Sequence, residues 1–142
     1  MASEDVILAG VIIFIFAIGF FVVYNVSNTV TTKMIGMSQI NQSAAAVSAL
    51  QGSQKVTNMM DYVVMGVFIA LVLGIIITGW FIGGNPIFMG IYFLVSVIGV
   101  VLASVMSNVW ETTSQSSIFG TTITHFPITN NLMLNLPLYI GI

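Results

Sequence analysis

Three long runs of apolar residues, each free of charge, divide the chain: Val6–Tyr24, Tyr62–Ile82 and Ile87–Met106. Each holds about the 20 residues that a helix rising about 1.5 Å per residue needs to cross a hydrocarbon core near 30 Å thick. Every ionisable group except His125 falls just outside them: Glu4, Asp5, Lys33, Lys55, Asp61 and Glu111. A charge at mid-bilayer costs a few kcal/mol, roughly, on insertion scales, which explains that exclusion. The pattern predicts an all-α integral membrane protein with three transmembrane helices in a single membrane domain.

Between the first two runs the pattern changes period. Met34, Met37, Ile40, Ala44, Val47 and Leu50 recur at three, three, four, three and three residues, one apolar stripe of a helix with Ser, Asn and Gln opposite. Residues 27–60 therefore read as a long amphipathic helical connection. Either the first span runs on as a helix toward Leu50, or it bends near Asn25–Thr32, and Gly52 is a natural stop. A helix lying on lipid is normally rich in Lys and Arg. This one is neutral and carries small Ala and Ser residues, which suits contact with protein, and Met37, Ile40, Ala44, Val47 and Leu50 are the expected partner contacts.

The Gly83-Gly-Asn-Pro86 stretch predicts a tight turn, with Pro86 opening the third span where its missing N–H is not needed. The second and third spans should then form an antiparallel hairpin. Gly66, Ala70 and Gly74 recur every four residues on one, and Gly99, Ala103 and Ser107 on the other. Small residues let backbones approach, so these stripes are expected to be helix contacts. Tyr24, Tyr62, Trp80 and Trp110 stand near span ends, where amphipathic rings favour the headgroup level. Asp61 suits an N-cap or first-turn acid of the second span.

Residues 107–126 are rich in Thr and Ser and read as an extended loop. Residues 127–142 are apolar but interrupted by Asn130, Asn131, Asn135 and Pro137, and too short to span. They are either a docked, re-entrant segment or the opening of a fourth span, the second being preferred. The acidic N-terminus and the length of the first run argue for a retained helix rather than a cleaved leader.

Composition sharpens the class. The chain is 58% hydrophobic and 4% charged, against roughly 25% charged in soluble domains, with a net charge of −2. Both lysines lie between the first two spans, which assigns that side to the cytoplasm. Glu111 should share it. With no Cys and one His, neither a thiolate metal site nor a catalytic cluster is assembled, and no cofactor is expected. His125 reads as a packing residue. Asp61 and Glu111 meeting at the lysine side is weighed and set below capping and solvation. Asn25-Val-Ser and Asn41-Gln-Ser match the glycosylation pattern at a chance level. No ionisable residue lies inside a span to mark a transport path, and no basic patch suggests nucleic acid.

The last 60 or so residues carry one resemblance. NPIFMGIYFLVSVIGVVLASVMSNVWE followed by THFPITNNLMLNLPLYIGI resembles small membrane proteins of lipid-containing bacteriophages, in which a span ending in a short Asn-aromatic-Glu stretch precedes a loop and a further apolar segment. Asn108, Trp110 and Glu111 form that stretch here. The abrupt end of the last segment departs from the pattern. The resemblance implies a structural protein of a virion's internal membrane, present in multiple copies and linking lipid to capsid or vertex proteins. An accessory subunit of a multisubunit membrane enzyme or transport complex, in a host cell inner membrane, is the alternative. A phage holin comes third, since holins commonly carry a charged C-terminal tail.

Overall fold

The computed structural model describes residues 2–82 and 86–141, all of whose regular elements are helical. In order they are α1 (Ala2–Ile35), α2 (Ser38–Asn41), α3 (Ala44–Thr57), α4 (Met60–Ile82), α5 (Pro86–Ser114), a 3₁₀ turn (Thr122–His125), α6 (Pro127–Leu134) and α7 (Leu136–Gly141). Three helices are long and apolar enough to cross a membrane, in α1, in α3–α4 and in α5.

Helix α1 is the axis of the molecule. Val6, Ala9, Ile13, Ala17, Phe21, Tyr24 and Thr31 are buried along it at three- and four-residue spacing, with one gap of seven. That spacing makes one continuous inward face. The alternation of Ala with Ile and Phe lets α4, α5 and α7 settle at different distances from it. At 34 residues α1 is about 51 Å long, well beyond a hydrocarbon core of about 30 Å. The span therefore neither bends near Asn25–Thr32 nor runs to Leu50. It breaks at Gly36–Met37, α2 makes one turn, and Ser43 caps α3 by accepting a hydrogen bond from the Ala46 N–H.

Helix α3 folds back antiparallel on the end of α1, tied by a bond from Gln54 Nε2 to Asn28 Oδ1 at 3.2 Å. It passes straight through Gly52 and ends at Thr57. A glycine in mid-helix lacks rotamers but does not forbid helical backbone, and no turn chemistry follows it to force a stop. After two residues the chain resumes as α4, two residues before the predicted span start.

The other departures lie in the C-terminal half. Helix α5 continues two turns past Met106 to Ser114, and its threonines are accommodated there by bonding back to the helix: Thr112 Oγ1 and Thr113 Oγ1 donate to the carbonyls of Asn108 and Val109. Residues 107–126 are thus helix, turns and 3₁₀ rather than an extended loop. Pro86 opens α5 as expected, while Gly83, Gly84, Asn85 and the side chain of Trp80 lie outside the described residues.

The expected contact between the second and third spans is not formed. Helices α4 and α5 each lie against α1 and scarcely meet each other among the described residues. The C-terminal segment is wedged between them. It descends antiparallel to α5: Ser107 Oγ donates to the Leu134 carbonyl at 3.0 Å, and further down Ile140 reaches Gly99. Tyr139 meets Phe68 of α4 edge-on, ring centres 5.5 Å apart. The segment is docked, in the first of its two predicted forms, and it heads the way a fourth crossing would.

Candidate functional site

Where α1, α4, α5 and α6 converge, at the lysine end of the bundle, the structure builds a dense junction. Phe21 is its centre, with Trp110 and Phe119 each 5.1 Å away and Phe126 at 5.6 Å, ring centre to ring centre. Tyr24 adds edge contact with Phe126 and lies over His125. Aromatic pairs at these distances contribute about 0.5–1.5 kcal/mol each beyond burial. Trp110 is 0% exposed and Tyr24 nearly so. Both rings are packed inside the junction instead of lying free as belt residues. Tyr62, at the start of the second span, is open.

Polar bonds pin this apolar cluster. Trp110 Nε1 donates to Asn130 Oδ1 at 3.0 Å, and Asn25 Nδ2 donates to Thr122 Oγ1 and to the Ile118 carbonyl. Asp61 does most. Only 3% exposed, its carboxylate accepts the Ile128 N–H at 3.0 Å, the Thr129 N–H at 2.7 Å and the Thr129 hydroxyl at 2.6 Å. The start of α6 has orphan backbone donors that a carboxylate satisfies. Asp61 stands in the first turn of its own helix, as predicted, yet its charge serves the first turn of α6. Pro127 leaves one N–H fewer to satisfy there. Glu111 is exposed and its carboxylate accepts from Gln115 Nε2 at 3.3 Å, so the two acids serve different places.

The two small-residue stripes part company. On α5, Gly99 lies against Ile140 and Ile7, Ala103 is buried, and Ser107 bonds the C-terminal segment. Those contacts are with α1, α6 and α7, not α4. On α4, Gly66, Ala70 and Gly74 are exposed, and a side chain added at Gly66 or Gly74 would meet nothing within 4 Å. Gly10, which the sequence did not single out, is the tightest point: a Cβ there would lie 2.8 Å from Ile140 Cδ1.

The expected partner-contact residues also divide. Val47 and Leu50 are half-buried and, with Gln54 and Thr57, form the face of α3 turned to α1. Met37 and Ala44 are exposed, as are Ala45, Ser48, Ala49 and Gly52. Ile40 is half-buried. Among the described residues no group of three or more potential metal ligands converges. No family model matches the chain, nor does any curated protein or solved structure.

Proposed function

We propose that this protein is a non-enzymatic structural component of a membrane-containing assembly, and specifically a virion membrane protein that joins the lipid to capsid or vertex proteins. The observation that carries the reading is the projection formed by α1 and α3. Ile35 stands eleven residues beyond Tyr24, so α1 rises about 16 Å past the predicted span, against a headgroup layer of about 6 Å. Beside it α3 presents Ala45, Ser48, Ala49 and Gly52 outward, a neutral surface of small side chains.

A projection facing only water would normally carry mixed charges. Lys33 and Lys55 are the only two cationic residues of the chain, while Val30, Met37, Val56 and Met59 are exposed on or beside the projection. Burial against another protein accounts for both features.

Mass spectrometry of purified particles and of host membranes tests this. The chain should be recovered with capsid proteins at fixed stoichiometry. Recovery only from cell membranes, together with the subunits of an enzyme, overturns the virion reading in favour of an accessory subunit.

A further inference from the structure

A half-open pocket of about 360 Å3 lies beside the junction, lined by Glu111, Ser114, Gln115, Ile123, Asn130 and Leu134. Its volume lies within the roughly 300–1,000 Å3 of small-molecule sites. Its height in the molecule is informative. Glu111 is five residues past Met106 on a continuous helix, about 7 Å beyond the end of the predicted span, within or just above the headgroup layer of about 6 Å.

The polar groups around it have unspent capacity of two kinds. Gln115 donates to one oxygen of Glu111, which leaves the other carboxylate oxygen and the Gln115 carbonyl as acceptors. The Ser114 hydroxyl donates to the Glu111 carbonyl and keeps its lone pairs. Asn130 accepts from Trp110 through Oδ1, which orients its Nδ2 donor. Ile123 and Leu134 add apolar wall. Among the described residues Glu111 has no ion-pair partner.

We propose that this cavity binds the headgroup of an amine-bearing phospholipid. The ammonium sits at Glu111 and the Gln115 carbonyl, the phosphate takes the Asn130 amide N–H, and the acyl chains descend past Leu134. A primary ammonium offers three N–H donors to these acceptors, whereas a choline headgroup offers none and a glycerol headgroup carries no cation. The site rests on the three helices spanning a bilayer and is independent of which assembly the protein serves.

Native mass spectrometry of the detergent-purified full chain, offered equal amounts of phosphatidylethanolamine, phosphatidylcholine and phosphatidylglycerol, tests it. Phosphatidylethanolamine should be retained on the order of five-fold over phosphatidylglycerol, as expected of one partly exposed charge pair worth up to about 1 kcal/mol. Glu111→Gln should remove that preference. Equal retention of the lipids, or a variant that keeps the preference, overturns the site. Soluble glycerophosphoethanolamine at millimolar concentration should displace the bound lipid, and no displacement overturns the headgroup assignment. Vesicle flotation keeps the two layers of inference apart. If neither wild type nor Glu111→Gln floats, the bilayer reading fails; if both float and retain the lipids equally, the site alone fails.

Discussion

At Asp61 a single carboxylate holds a distant helix in place. Its three donors lie 67 and 68 residues along the chain, and its burial means that water cannot replace it. Removing an N-cap typically costs about 0.5–2 kcal/mol, and bonds to a charged group are worth roughly 1.5–3 kcal/mol. Asp61→Ala should therefore destabilise the docked C-terminal segment by about 2–3 kcal/mol. Limited proteolysis checks this: cleavage within 115–141 should accelerate while fragments holding the three long apolar helices persist. Asp61→Asn keeps one acceptor oxygen and should lose less. Trp110→Phe retains most of the buried ring but drops the bond to Asn130, leaving that side chain unsatisfied. A loss of about 1 kcal/mol is expected, read as a lower thermal midpoint in detergent.

At the scale of elements, the glycines test which helices truly touch. Gly99→Leu and Gly10→Leu place bulk where Ile140 already sits, so both should release α7 and expose a cysteine introduced at the buried Leu136 to a thiol reagent. Gly66→Leu points into open space and should leave the isolated chain's fold unchanged. Were the α4 and α5 stripes packed on each other instead, Gly66→Leu would be disruptive and Gly10→Leu silent. What the sequence could and could not say follows from the same residues. The three long apolar helices were legible because charge exclusion and run length are local properties. The stripe on α5 was legible as a contact face, but its partner was not, since Gly99 records only that something comes close. A docked segment was one of the two forms read for residues 127–142, but what holds it was not legible: Asn130, Asn131 and Asn135 look like interruptions, whereas Asn130 bonds Trp110 and Asn135 Nδ2 turns back to Asn131. Hydroxyls at Thr112 and Thr113 hid two turns of helix in the same way, by reading as loop composition. Asp61 was recognised as a helix-terminus acid but assigned to the nearer terminus, for nothing local distinguishes the two.

For the whole molecule, the projection is the surface to perturb. Ala45→Glu with Ala49→Glu charges the outward face of α3 and should abolish incorporation into particles while membrane insertion proceeds, as scored by flotation and by particle mass spectrometry. Val47→Glu instead strikes the half-buried face toward α1 and should loosen the projection itself, by roughly 1–2 kcal/mol, visible as protease sensitivity near Gly36. Incorporation that survives the outward double substitution would remove α3 from the contact. The bond from Asn25 to Thr122 has a consequence in time. It spans 97 residues, and synthesis proceeds at about 5–20 residues per second. The first helix is thus made roughly 5–20 s before Thr122 is, with Phe21 still partly bare, and Ile140 reaches Gly10 later still. During that interval a neighbouring copy's final segment can settle there first, so newly made chains crowded at one patch of membrane are exposed to exchange of their ends, and slow synthesis would increase it.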